Sequence, residues 1–480
     1  MSVRSVIRSA ETALNANDIN LALRLAHDFV ERIISDPICT SQVFSSFEMD
    51  QLCLNIGRRN LDNLTVPERQ SSSKLEKRST IVYVASRLQR SGGHSRLIQD
   101  FIRSQPEKNH LILSTEIGGC SDIEFFSDLF GNKENVRFLR APSENFHARL
   151  NWLQSTLLSI QPNQTYLFNH HQDSVAVSAL VPELDLIGSF CHHGDHHLCL
   201  GVTMCHLKHI DFHPMGFHHC RNTLEIENIY LPLTFEDKKY VPLETDFMQG
   251  GNLVTATAAG WNKIEVPYYI SYLDIIPRLL KETGGLHVHV GRLTPWALFR
   301  IYKQMRKHGI KQDRFVYIKR SPSVWKTLQE YKVDVYLSSF PYGAGLTLIE
   351  VMGAGIPVII HKHMYSRILS GLELAYPDAF RWSNPEELLS HLEALRPEKL
   401  KKESGLSRSH YEQYHQPKIL KNYFSRPEAF QIDIPELSRD FSPRLDEWAY
   451  FAAKRLGFRY VALKYIIQNL RKLRRTLRGS

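Results

Sequence analysis

No stretch of this 480-residue chain reaches 18 consecutive apolar residues, so a membrane-spanning helix is not expected. The opening, MSVRSVIRSAETALNANDIN, carries Arg4, Arg8 and Glu11 where a secretion signal needs an apolar core, so a soluble, cytoplasmic protein is expected. Cysteine is scarce: Cys39, Cys53, Cys120, Cys191, Cys199, Cys205 and Cys220 are odd in number, scattered, and form no C-x-x-C pair. That pattern implies reduced thiols and excludes a disulfide framework. The G-x-G-x-x-G turn of a dinucleotide-binding fold is missing, which counts against a nicotinamide enzyme, and so is H-E-x-x-H. There is no low-complexity tract.

What is present is the composition of folded protein, with 43% hydrophobic, 10% aromatic and 23% charged residues. The length suits two or three domains. The net charge of +9 is concentrated at the end of the chain, where Lys454, Arg455, Arg459, Lys464, Arg471, Lys472, Arg474, Arg475 and Arg478 outnumber Asp446 and Glu447 by seven.

Between Val6 and about Ile56 apolar residues recur at helical spacing. Leu21, Leu25 and Phe29 lie four apart, Val30, Ile33 and Ile34 extend that face, and Asp18 is suited to cap the helix. Residues 1–62 therefore read as a small all-helical region that packs or docks, and 63–80, with Pro67 and three consecutive serines, as a linker. From Ile81 the pattern changes to short β-branched runs alternating with helical stretches. IVYVAS (81–86), HLILST (110–115), VRFLR (136–140), TYLFNH (165–170), DLIGSFCH (185–192) and ENIYLPL (227–233) make a first α/β domain over 81–235. After a polar connection at 236–251, NLVTATA (252–258), LHVHVG (286–291), RFVYIK (314–319), VDVYLS (333–338) and PVIIH (357–361) make a second over 252–400. Helices and a basic tail occupy 401–480. Two doubly wound, Rossmann-like domains in tandem are expected to leave a cleft, with loops at the carboxyl ends of the strands directed into it.

The segment DVYLSSFPYGAGLTLIEVMGAGIPVII (334–360) is the most informative. A strand runs into a loop holding Pro341, Gly343 and Gly345, and a helix begins near Leu346. Glycines admit a ligand close to the backbone, and the helix N-terminus favours phosphate. Thr347 adds a hydroxyl in the first turn, and Glu350 lies one turn further on, within reach of a ribose diol. A tight connection with glycines for packing and a solvated Glu350 is the competing reading. Upstream, TATAAGWNKIE (255–265) sets Lys263 just after the opening strand of the second domain, where one ammonium can neutralise a leaving diphosphate.

This segment resembles the nucleotide-sugar motif of GT-B glycosyltransferases, in which a Gly-rich loop and helix precede a small-residue turn and "PV", here Gly353, Gly355, Pro357 and Val358. Many retaining members carry two glutamates eight positions apart; the second matches Glu350, but Tyr342 occupies the first position. With one acid at the ribose position, the pattern looks closer to the O-linked N-acetylglucosamine transferases and the bacterial cytoplasmic N-glycosyltransferases, which are inverting. The resemblance implies a diphosphate-contacting turn at Gly345, Leu346 and Thr347, with Glu350 on the ribose and Lys263 on the β-phosphate. Leu346 stands where the family usually has the first threonine of a pair.

Eleven histidines fall between His170 and His219, and CHHGDHHLCLG (191–201) follows a strand. An imidazole there could act as base on an acceptor or hydrogen-bond the leaving phosphate. The resemblance favours His193, while His192, His196 and Asp195 remain alternatives. His192, His193, Asp195, His196, Cys199, Cys205 and His209 could also supply zinc ligands, but no pairing has regular finger or ribbon spacing, and no metal or cofactor is assigned. In SRLQRSGGHSRLIQDFI (86–102), Gly92, Gly93 and His94 open a helix after the first strand, and GT-B enzymes commonly have a Gly-Gly loop there. Arg320, with Lys319, Ser321 and Pro322, is a candidate for base and ribose contacts. The tail, 448–478, alternates an apolar stripe with cationic residues and suits either packing on the protein or an anionic membrane surface. Nucleic acid is not expected, for want of aromatic platforms.

The expected function is transfer of a sugar from a nucleotide diphosphate sugar, UDP-linked, to an acceptor hydroxyl or amide on a glycan, lipid-linked or polypeptide acceptor. Inversion without a metal is expected. A sugar-nucleotide epimerase of the same fold and a non-catalytic membrane-docking scaffold are the alternatives.

Overall fold

The computed structural model describes residues 2–36, 39–64, 79–90, 93–130, 134–238, 247–343 and 345–455. The chain divides into two compact units, Met1–Glu236 with Tyr414–Leu437, and Asp237–Gln413 with Ser438–Ser480.

The first unit is built on seven parallel strands: β1 (Thr80–Ala85), β2 (Asn109–Ser114), β3 (Val136–Arg140), β4 (Gln164–Phe168), β5 (Gly188–His192), β6 (Lys208–Asp211) and β7 (Asn228–Tyr230). Their order across the sheet is β3-β2-β1-β4-β5-β6-β7. Strand β1 is central and buried on both faces, which is why it reads as the unbroken apolar run Ile81–Ala85. Strand β6 was not foreseen: its four residues, Lys-His-Ile-Asp, carry one apolar side chain and give no periodicity. Crossover helices, among them Gly93–Ser104, Phe146–Ile160 and Ser174–Ala179, cover the sheet.

The N-terminal region forms three helices, Val3–Asn15, Ile19–Ile34 and Phe47–Asp62. Asp18 caps the second, its carboxylate accepting from the Leu21 amide at 2.9 Å. The face expected to be buried is rotated. Leu21 is 44% exposed, and Ala22, Leu23, Ala26, Phe29 and Val30 turn inward, because two alanines let the neighbouring helices approach. These helices share one core with the sheet, where Val6, Ala10, Leu23, Met49 and Leu52 join Val82, Val84, Leu113 and Leu167.

The second unit has six parallel strands: β8 (Val254–Ala258), β9 (Leu286–Val290), β10 (Phe315–Ile318), β11 (Val335–Leu337), β12 (Val358–His361) and β13 (Phe380–Trp382), ordered β10-β9-β8-β11-β12-β13. Strand β13 is three residues long and carries no sequence signal. The chain after residue 401 is shared between the units. Leu420 and Tyr423, on helix Lys418–Ser425, enter the first unit's core beside Ile81, while Trp448 and Ala452, on helix Leu445–Arg455, lie in the core of the second. The basic stripe from 456 to 478 and most of the 63–80 linker lie outside the described residues. No helix among the described residues is long and apolar enough to cross a membrane. All seven cysteines are free.

Candidate functional site

In the second unit, strand β8 ends at Ala258 and the chain turns through Ala259 and Gly260 into a single helical turn, Trp261–Ile264. This turn carries Lys263 back across the neighbouring connection. The Lys263 ammonium donates to the Gly343 carbonyl at 2.8 Å, and the Tyr342 amide donates to the Lys263 carbonyl at 3.3 Å. Lysine and glycine loop are therefore joined by two hydrogen bonds, one in each direction. Burial pulls the Lys263 amine down from the usual lysine range to about 8.

Gly343 has no room for a side chain. A Cβ there would lie 2.7 Å from the Leu369 carbonyl oxygen and 2.8 Å from that of Ser370. The loop then enters helix Gly345–Gly353, the element expected to receive phosphate. Gly345, Leu346 and Thr347 in its first turn are half-buried, whereas the residues from Leu348 onward are buried. Glu350, one turn on, is 7% exposed. Its Oε1 accepts from the Trp325 amide at 3.0 Å and from the Ser323 hydroxyl at 3.2 Å, with the Lys238 ammonium 3.8 Å away. All three contacts fall on that one oxygen. Glu350 is thereby fixed against the loop after β10, the loop that holds exposed Arg320. Ser323 and the Trp325 amide were not foreseen as parts of this arrangement, whereas Gly343 lies in the expected glycine loop. Ser321, Ser323 and Pro322 in one short loop were the available signal.

In the first unit the histidines form several separate groups. Gly93, exposed, opens helix Gly93–Ser104, and buried His94 follows it with Nε2 against the Arg87 carbonyl. The His94 ring lies 4.6 Å from that of His170 and 5.4 Å from that of His193. Two sequence candidates from distant segments, His94 and His193, are thus brought together. His193 Nδ1 lies 3.1 Å from the Cys191 carbonyl oxygen, which can only accept, so Nδ1 carries the proton and the lone pair of the neutral ring sits on Nε2. Burial and the neighbouring His94 hold His193 well below the usual histidine range, hence neutral at pH 7.

The other candidates face elsewhere. His192, at the end of β5, is buried and bonded through Nδ1 to Asp211 at 2.8 Å. Asp195 is 9% exposed, and burial together with the adjacent Asp211 raises its carboxyl well above the usual carboxylate range. The His196 carbonyl accepts from the Ser41 amide at 3.0 Å, and its ring packs 4.9 Å from His171. His192 and Asp195 are buried beside Asp211, His196 is half-buried against His171, and His193 is the one grouped with the Gly93 loop.

No protein-family model matches the sequence, and no curated protein sequence matches it. Solved structures do match its fold. HepE (Alr3699) of Anabaena, solved in complex with UDP, aligns over 72% of this chain and 99% of its own at 12% identity, with a TM-score of 0.55. The lipopolysaccharide outer core galactosyltransferase WaaB aligns over 72% of this chain and 98% of its own at 14% identity, with a TM-score of 0.54. The N-terminal domain of Candida albicans trehalose-6-phosphate phosphatase aligns over 75% of this chain and 98% of its own at 12% identity, with a TM-score of 0.50. At these identities the likeness is one of fold: two units, each a parallel sheet flanked by helices, as in the GT-B fold. The chemistry must be argued from the chain's own residues.

Proposed function

We propose that this chain is a glycosyltransferase that takes its sugar from a nucleoside diphosphate sugar, UDP-linked, and passes it to an acceptor hydroxyl or amide. The observation that carries the proposal is the Lys263 ammonium held 2.8 Å from the Gly343 carbonyl, at the mouth of helix Gly345–Gly353. A half-buried cation beside a helix N-terminus is suited to a diphosphate, and both stabilise charge that grows as the sugar leaves. The half-buried turn of Gly345, Leu346 and Thr347 supplies amide and hydroxyl donors to the same group. Glu350, with Oε1 pinned to the Trp325 amide, offers Oε2 to the ribose hydroxyls, and Arg320 borders the base.

In the reaction the acceptor oxygen or nitrogen bonds to the anomeric carbon from the face opposite the diphosphate, inverting the centre. The bond from that carbon to the diphosphate oxygen breaks, and its electron pair stays on the oxygen, where Lys263 takes the role a divalent cation plays in other transferases. The acceptor proton passes to His193 Nε2, which the hydrogen bond from Nδ1 to Cys191 leaves as the basic nitrogen. That nitrogen is a weak base in the resting protein, so the transfer is expected to become favourable only as the acceptor bonds to the sugar. The UDP complexes of the Anabaena protein and the galactosyl transfer named for WaaB agree with this donor class.

Calorimetry with UDP tests the donor site. Wild type should bind, and Lys263→Ala should bind about 10- to 100-fold more weakly, the range for a lost charged hydrogen bond. Failure of wild type to bind UDP, or unaltered affinity in Lys263→Ala, would sink the reading. A panel of UDP-sugars then names the sugar by hydrolysis or transfer. Conversion of a UDP-sugar to an isomer without acceptor would assign an epimerase instead.

A further inference from the structure

Behind the His193 loop lies a second constellation that the transfer reaction does not use. Strands β5 and β6 are paired in parallel with His192 opposite Asp211, so both side chains lie on one face of the sheet. His209, two residues before Asp211, shares that face by the alternation of a strand. Helix Pro214–Asn222 follows β6 and sets Cys220 over the same three residues. The ligand atoms of His192, His209, Asp211 and Cys220 all lie within 4.8 Å of one another, and all four residues are buried.

Three of the separations within the cluster are short. His192 Nδ1 is 2.8 Å from Asp211 Oδ1, His209 Nε2 is 3.4 Å from Asp211 Oδ2, and Cys220 Sγ is 3.6 Å from His192 Nδ1. Four-coordinate zinc, with bonds of about 2.0–2.3 Å, separates its ligand atoms by about 3.3–3.7 Å. Two features set the cluster apart from an ordinary polar network. His209 Nε2 is buried 3.4 Å from the Asp211 carboxylate without the geometry of a well-formed hydrogen bond. Asp211 Oδ2 is meanwhile held by the Asn228 amide at 2.6 Å, the outer contact that commonly orients a metal-binding carboxylate.

We propose that His192, Asp211, His209 and Cys220 form a structural zinc site. Two imidazoles, a carboxylate and a thiolate are a ligand set of zinc's preferred kind, and their closed, buried placement suits a structural site rather than one that activates water. Zinc would bond to His192 Nδ1, His209 Nε2, Asp211 Oδ1 and Cys220 Sγ. On binding, the Cys220 thiol loses its proton to solvent and the His192 ring proton moves from Nδ1 to Nε2, so one proton is released per metal. The resulting centre carries no net charge, since carboxylate and thiolate balance the divalent ion, and its burial is tolerable for that reason. It would tie β5, β6 and the helix over them directly beneath the loop that carries His193.

The test is made on the full chain and does not depend on donor binding. One zinc per chain should be found by elemental analysis, or be taken up when zinc is added to chelator-treated protein. A chain that neither carries nor takes up zinc overturns the proposal. With cobalt in place of zinc, wild type and Cys205→Ser should show thiolate-to-metal charge-transfer absorption, and Cys220→Ser should lose it. Persistence of the band in Cys220→Ser would place the metal elsewhere and reject this site. Should Cys220→Ser not fold, zinc-edge absorption of wild type decides the matter. One sulfur near 2.3 Å with three lighter atoms at about 2.0–2.2 Å supports the site, and any other count of sulfur rejects it.

Discussion

Lys263 is a half-buried cation before any substrate arrives, and partial loss of solvent brings its amine to about 8. Among the described residues its ammonium is hydrogen-bonded to a neutral carbonyl, that of Gly343, which stabilises the charge less than a carboxylate would. A diphosphate would supply the missing anion and raise the amine again. The sign of the pH effect follows. Below about 8 the free protein already holds the proton that the complex needs, and UDP affinity is flat. Above it the proton must be taken up on binding, so affinity falls, about tenfold per pH unit, until the higher value of the complex is reached. Calorimetry with UDP from pH 7 to 10 should show this decline in wild type and none in Lys263→Met. A pH-independent wild-type affinity would show that the ammonium does not meet the phosphates.

At the scale of elements, the N-terminal helices belong to the first unit's core rather than standing apart from it. Helix Phe47–Asp62 runs so close to helix Ser174–Ala179 that a Cβ at Gly57 would sit 1.8 Å from the Ser178 carbonyl oxygen. The contact is completed by Gln154, which receives the Asn60 amide at 2.8 Å and donates to the Gly57 carbonyl at 3.1 Å. Gly57→Ala must force the helices apart and should cost about 1–3 kcal/mol, read as a lower urea midpoint without change of slope. An unchanged midpoint would mean that the helices move apart freely. This packing also shows what was legible in the sequence. The Asp18 cap, the apolar runs of β1, β2, β8 and β9, and the glycine loop before Leu346 are local signals, and each was readable. The turn of helix Ile19–Ile34 was not legible, because Ala22 and Ala26, whose small side chains give little apolar signal, mark its inner face. Strands β6 and β13 were invisible because three or four residues hold no period. The grouping of His192 with Asp211 and Cys220 was equally hidden, since it arises from strand pairing and a crossover helix and not from spacing.

For the molecule as a whole, the histidines are a shared acid sensitivity. Burial holds His170 at about 3 and His197 at about 4 in the first unit, and His289 at about 4, His361 at about 3 and His391 at about 4 in the second. In the unfolded chain each titrates near 6.5. Between that value and the depressed ones the unfolded chain binds more protons than the folded chain, so stability decreases as pH is lowered and recovers as it is raised. Buried carboxyls oppose this only in part. Asp50 and Asp100, both raised to about 6, and Asp173, Asp195, Asp334, Glu373 and Glu403, also raised by burial, take up protons in the folded state first and favour it as pH falls towards 4, but with His171, His213, His287 and His363 depressed as well the imidazoles outnumber them. Because both units contain such histidines, both should lose stability over the same interval. Scanning calorimetry from pH 7.5 to 4.5 should show every unfolding transition moving to lower temperature below about pH 6.5 and remaining level above it. A transition temperature that holds steady down to pH 4.5 would require these imidazoles to be reached by water, and the interior placement of the histidine-rich loops would have to be given up.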